Sequence, residues 1–402
     1  MHIVYVTIEY IDPVSLKIID GGLANYLVKI TKQLNETGNI IDVIVISDKN
    51  LSINWNNINV HFIQIRQYKK NIIDRVFSPL LRKKLKSRRL QYKYKQINNF
   101  ITKIDKSKKI DIIQYASCLS LGLFPHNDIP SCLRISSYEK LFQESYGEYD
   151  LESISNDCDQ FKKNRFIFGP SKHIASIIEK DLGLKTQIRI IESPKSDVSK
   201  EFDYYILDQL IKKIGNNKYF LFFGTIGELK GCGTIARCIY RILLSYKELF
   251  FVMVGKVAIK SNGVNFKEEI LKASKEFSDR IIHFDSLPHE RLFPIIKKSS
   301  FIVMPSLTEN FSNACVEAMS LGKIVIGTEG NFSQLICDGE NGFLSISGNP
   351  ESLYNTINKV MSLSDDEKKR ISDNAKFRTN SLSVEKITKQ LISYYKEVIK
   401  QW

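Results

Sequence analysis

Nowhere in the 402 residues does an apolar run approach the ~18 to 20 residues of a bilayer-crossing helix, so an integral membrane protein is not expected. The opening MHIVYVTIEY has no basic n-region and is followed at once by Asp12, so it reads as a first strand and not as a secretory signal. A cytoplasmic location is the expectation. Cysteine is sparse and unpaired in pattern: Cys118, Cys132, Cys158, Cys232, Cys238, Cys315 and Cys337 make an odd count without any C-x-x-C. Such spacing suggests neither a zinc ribbon nor a disulfide framework, and it leads us to expect reduced thiols and no metal site. Repeats and low-complexity segments are also missing.

What is present describes a globular chain, 43% hydrophobic and 25% charged. Its length exceeds one ordinary core and suits two domains of roughly 200 residues. The net charge of +14 is local. Residues 66–109 hold sixteen of the 58 basic side chains against two of the 44 acidic ones, Asp74 and Asp105, which leaves forty-two of each sign elsewhere.

Short apolar runs alternate with longer amphipathic stretches: HIVYVT (2–7), a helical pattern over 23–35, IDVIVI (41–46) and DIIQY (111–115). The rhythm restarts with YFLFF (219–223), FFVMV (250–254), IIHF (281–284), FIVM (301–304) and KIVI (323–326). Continuously apolar strands of this kind belong to parallel sheets covered by helices on both faces, so an α/β chain with two doubly wound domains is expected. We place the first domain at 1–200 and the second at 201–383. Ile387, Leu391, Tyr394, Val398 and Trp402 share a helical face, so the terminal helix, 384–402, is expected to dock on a neighbour.

Ligands of open parallel sheets bind beyond the carboxyl ends of the strands, which directs attention to three strand-to-helix loops. Gly21 and Gly22 precede the first helix, where a bare backbone and free N–H groups suit an anion, although a paired glycine is often only a tight turn. GTIGELKG (224–231) follows the strand that opens the second half, and its Lys230 could reach a phosphate or simply be solvated. G-x-G-x-x-A at 231–236 imitates a dinucleotide fingerprint, but it starts well beyond the strand and no ribose-binding acid follows the next strand. In the third loop FIVM ends at Pro305, Ser312 or Asn313 can cap a helix to Ser320, Glu309 lies ahead of that helix and Glu317 about a turn inside it. The N–H groups of Phe311, Ser312 and Asn313 would face a diphosphate, flanked by carboxylates that accept hydrogen bonds from hydroxyls.

The stretch ENFSNACVEAMSLGK resembles the E-x7-E signature of retaining glycosyltransferases of family 4. GGLANYLVKITKQLNETG is similar to their first glycine loop and helix, FIFGPSKHIASIIEKDLGL to the end of their first domain, GTIGELKG to their G-R-x-x-x-x-K-G loop, and ICDGENGFL to the segment after the last glycine-rich loop. The resemblance implies a GT-B fold of two facing Rossmann-like domains, with the terminal helix crossing back to the first. It also implies a metal-independent transfer from a nucleoside-diphosphate sugar, with no cofactor, to a glycan or lipid-linked acceptor in cell-surface polysaccharide biosynthesis. Carried over, Glu309 would hold the transferred sugar, Lys230 would neutralise the diphosphate, Glu317 would take the ribose, and Gly21, Gly22, Thr225, Asn310, Phe311, Ser312 and Asn313 would line the donor. No D-x-D cluster stands near these loops. Two departures matter: Thr225 stands where the family usually has Arg, and SCLRISS (131–137) offers Ser136 with Arg134 where many members carry a histidine, so both are acceptor-side candidates. A degenerate member that binds without turnover is the alternative.

The basic segment mixes its charges with Val76, Phe77, Leu80, Leu81, Leu85 and Leu90. It lacks a nucleic-acid-binding module, and its expected use is peripheral docking on anionic membrane at the inner face of the cell membrane through Arg82, Lys83, Lys84, Lys86, Arg88 and Arg89, weighed against a solvated helix face.

Overall fold

Residues 1–19, 21–66, 82–146, 149–196, 201–259, 263 and 265–402 are described by the structure, a computed structural model. For 82–87 and 145–146 only the backbone is described. Contacts divide the chain into two units: Met1–Gln143, Tyr149–Pro194 and Val384–Trp402 form the first, and Lys195–Ser383 forms the body of the second.

In the first unit the described strands are β1 (His2–Thr7), β2 (Ile40–Ser47), β3 (Leu51–Trp55), β4 (Ile58–Gln64), β5 (Ile112–Ala116), β6 (Ser131–Arg134), β7 (Ile167–Gly169) and β8 (Arg189–Ile190). They form one sheet in the order β3-β4-β2-β1-β5-β6-β7-β8. Strand β1 is buried along its whole length, because parallel neighbours flank it, with Ile3 opposite Ile41 on one side and Ile112 on the other. Only β3 runs antiparallel, as an exposed edge. Helix Gly22–Glu36 buries Leu27, Ile30 and Leu34, and helix Arg82–Ser107 buries Tyr94, Ile97, Ile101 and Ile104, a spacing that keeps one face on the sheet.

The terminal helix, Val384–Gln401, belongs to the first unit. Ile387, Leu391 and Val398 are buried, each contributing about 1.5 to 3 kcal/mol, and Tyr395 donates to Gln114 Oε1 at 2.6 Å. That sum outweighs fraying. Trp402 does not share this burial: it lies one residue past the helix and is 49% exposed.

The second unit holds β9 (Lys218–Phe223), β10 (Leu249–Val254), β11 (Ile281–Phe284), β12 (Ile302–Val303), β13 (Val325–Thr328) and β14 (Phe343–Ser345), ordered β11-β10-β9-β12-β13-β14 with parallel pairings throughout. Phe220 stacks on Phe251 at 4.5 Å and on Phe301 at 5.4 Å, which fixes the three central segments against one another. Among the described residues no helix is long and apolar enough to cross a membrane.

Candidate active site

In the second unit the chain builds outward from β9 through β10 to β11, then returns to β12 and continues the other way. The strand order therefore reverses between β9 and β12, and the loops at their carboxyl ends, 224–231 and 305–312, frame a crevice. Lys230 ends a 3-10 turn, Glu228–Lys230, and its Nζ donates to Glu309 Oε2 at 2.5 Å. The backbones meet as well: Leu307 N donates to Leu229 O at 2.8 Å. Gly231 sits at φ 74°, where an added Cβ would lie 1.8 Å from the Pro305 carbonyl oxygen. Glycine alone allows that approach.

Glu309 is braced from behind by Asn331, in the loop after β13. Asn331 Oδ1 accepts from Glu309 N at 3.1 Å, while its Nδ2 donates to Ser306 O at 3.0 Å and Leu307 O at 3.2 Å. Sequence reading passes over Asn331; only its position after a strand could have marked it. The Glu309 side chain is 11% exposed and Lys230 36%. The pair is therefore lopsided, a nearly buried carboxylate held by an ammonium that reaches solvent.

Helix Asn313–Ser320 begins as expected, with Ser312 Oγ accepting from Cys315 N at 3.2 Å. Glu317 is buried one turn in, where its Oε1 accepts from Ser196 Oγ at 2.9 Å and lies 3.4 Å from His289 Nε2. Ser196 and His289 are further residues that sequence reading missed. The two glutamates thus occupy different settings, one facing an ammonium and one facing a hydroxyl and an imidazole. Asn310, Phe311 and Asn313 are half-buried beside them, and Thr225 is exposed at the end of β9. Burial, and then the charge of Glu309, push the Cys315 thiol well up, so it stays protonated. Among the described residues no three His, Cys, Asp or Glu side chains gather as a metal set would.

The first unit has its own reversal between β1 and β5. Gly21 precedes helix Gly22–Glu36, as expected, but the space beside it is not free: a Cβ on Gly21 would lie 2.5 Å from Glu9 Oε2. Burial raises the Glu9 carboxyl above its ordinary range, and the Ala24 backbone N–H partly offsets this. A carboxylate of the chain therefore already faces the helix start where an external anion was expected. Arg134 is only 5% exposed and lies over the Tyr26 ring at 3.7 Å, with Ser193 Oγ at 3.3 Å and Ser136 Oγ at 3.4 Å. Burial in this conformation withholds Arg134 from ligand and makes it a support for Ser136. The following loop is tied down by Ser117, whose Oγ accepts from Ser136 N at 2.9 Å. Behind that loop, Gln160 Nε2 donates to Ser117 O at 2.7 Å and to buried Asp157 at 2.5 Å.

On the basic helix Arg88 is half-buried and Arg89 exposed. The side chains of Arg82, Lys83, Lys84 and Lys86 lie outside the described residues, as do Val76, Phe77, Leu80 and Leu81.

Residues 208–378 match the family described as glycosyl transferases group 1. That match lies wholly within the second unit. An uncharacterized glycosyltransferase of Methanocaldococcus jannaschii is 25% identical over 307 residues, 73% of this chain and 78% of that protein. Sucrose-phosphate synthase from Thermosynechococcus elongatus superposes with a TM-score of 0.75 at 14% identity, covering 100% of both chains. Anabaena HepE in complex with UDP-glucose gives 0.71 at 16% identity over 98% of this chain and 99% of that one. The architecture is GT-B, and together the matches support a glycosyltransferase.

Proposed function

We propose that the chain is a retaining, metal-independent glycosyltransferase of family 4 type that moves a sugar from a nucleoside-diphosphate sugar to a glycan or lipid-linked acceptor of a cell-surface polysaccharide. The observation that carries this reading is the Lys230–Glu309 pair at the carboxyl ends of β9 and β12, held together by backbone. A diphosphate arriving at the start of helix Asn313–Ser320 takes Lys230 from Glu309, and the released carboxylate accepts hydrogen bonds from hydroxyls of the transferred sugar. The sugar–phosphate bond then breaks, the acceptor oxygen bonds to the same carbon on the same face, and its proton passes to the departing phosphate oxygen. Lys230 supplies the charge that a metal would otherwise bring. Glu317, with Ser196 beside it, takes the ribose hydroxyls. Lys256, exposed at the end of β10 with its carbonyl accepting from Ile226 N at 2.9 Å, supplies the second phosphate cation that Thr225 cannot. HepE, named with UDP-glucose, supports a nucleotide-sugar donor.

Thr225 and the absent histidine favour a second reading, a member of the same fold that binds sugar nucleotides without turnover. A thermal-shift panel of sugar nucleotides tests the donor site that both readings share, because a ligand at 100 times its Kd stabilises by about 2.7 kcal/mol. Release of free nucleotide then separates them. No shift with any nucleotide or sugar nucleotide would contradict both.

A further inference from the structure

On the first unit, helix Arg82–Ser107 and the chain from Leu123 to Asn127 enclose an open cleft of about 560 Å3, within the ~300–1,000 Å3 typical of small-ligand sites. It belongs to the basic segment but not to the strand-end loops described above. Its floor is Phe124, fixed by the Tyr94 ring at 5.0 Å and the Lys163 ammonium at 4.4 Å. Around that floor stand Lys95, Asn98, Asn99 and Asn127, and among the described residues no carboxylate lines the cleft. Asn98 Nδ2 donates to Phe124 O at 3.3 Å, whereas its Oδ1 is buried with no hydrogen-bond partner among the described residues. Asn99 and Asn127, by contrast, are exposed and present their carboxamides to the cleft.

Each feature narrows the ligand. Carboxamides both donate and accept, which suits a polyol. Half-buried Phe124 and Pro125 offer apolar surface beside these amides. Two ammoniums with no lining acid call for negative charge. A bilayer meets basic side chains on a flat or convex face and has no use for carboxamides in a hollow. We infer that this cleft binds an acidic saccharide unit, a sugar bearing a carboxylate or a phosphate, on the acceptor glycan. Its service as acceptor rests on the transferase reading; its binding does not.

Titration calorimetry of the full chain with trigalacturonate, glucose 6-phosphate and neutral maltotriose tests this and separates carboxylate from phosphate. One or both acidic probes should bind, with maltotriose weaker by about tenfold or more. Lys95→Gln with Lys163→Gln should lose about tenfold or more and become insensitive to salt, and Asn99→Ala should weaken acidic and neutral probes alike. Neither variant should change nucleotide binding, and Lys230→Ala should bind the acidic probe as wild type does. Equal binding of maltotriose, or no binding of either acidic probe at millimolar concentration, overturns the inference. So does binding to phosphatidylserine vesicles that the double lysine variant abolishes while the acidic sugars stay unbound, which assigns the face to membrane. A chain that titrates trigalacturonate yet releases no nucleotide from any donor refutes the transferase reading alone.

Discussion

Each unit leads from its central strand through a glycine into the next helix, and the two glycines, Gly21 and Gly231, serve different neighbours. Gly21 has extended backbone, φ 167°, that any residue could adopt, and what crowds it is the end of a mobile side chain, Glu9. Gly231 is left-handed and lies against the backbone of the segment that carries Glu309. The first loop can therefore adjust, while the second is locked. Chemistry that needs fixed geometry belongs to the second, where the cation Lys230 reaches solvent, whereas Arg134 of the first unit is shut away. Rigid backbone with accessible charge is what a donor site requires.

Gly231→Ala breaks this contrast most severely. A Cβ there meets backbone on one side and a left-handed φ on its own, so urea unfolding should show a loss of about 3 kcal/mol or more, and turnover should vanish. The next effect separates the units by pH. The first unit ties its loops to a carboxyl, Asp157, and the second to a carboxamide, Asn331. Burial pushes the Asp157 carboxyl up to about 7, against the pull of the Glu139 N–H and Gln160. An unfolded aspartate releases its proton near ~3.9, so between about pH 4 and 7 the native state holds the extra proton, and this group's contribution to stability falls as pH rises, then levels above 7. Asp157→Asn should flatten that slope, worth up to about 4 kcal/mol across the window. Unchanged slopes in parallel urea titrations would remove Asp157 from the network.

How much of this was written in the sequence follows from burial. The central strands β1, β9 and β10 sit where continuous apolar runs place them, because parallel neighbours and helices cover both faces. Strand β3, an exposed antiparallel edge, carries no such run and escapes notice. Helix Asn313–Ser320 is legible from Ser312 because capping is local. Asn331, Glu9 and Ser196 are not, since each acts through a partner distant in sequence that only the tertiary fold brings near. The exposure of Trp402 was misread because a helical face continues only as far as the helix does.

Smaller effects sharpen the comparison. Asn331→Ala removes one hydrogen bond to Glu309 N and two to neighbouring carbonyls, and should lower kcat about tenfold with little change in nucleotide affinity, as expected for lost positioning. A change confined to KM would place Asn331 in binding instead. Gly21→Ala should be mildest, under ~1 kcal/mol by thermal unfolding, because Glu9 can swing aside. A loss as large as that of Gly231→Ala would erase the distinction between the loops.

The most direct measurement is nucleotide release from the sugar nucleotide that gives the largest thermal shift, comparing wild type with Glu309→Gln. Glutamine keeps the size of the side chain and its bracing by Asn331 but removes the charge that faces Lys230 and the sugar. The account predicts a folded variant that binds nucleoside diphosphate like wild type and turns over on the order of a hundredfold more slowly. Turnover within a few-fold of wild type would contradict the placement of the transferred sugar at Glu309.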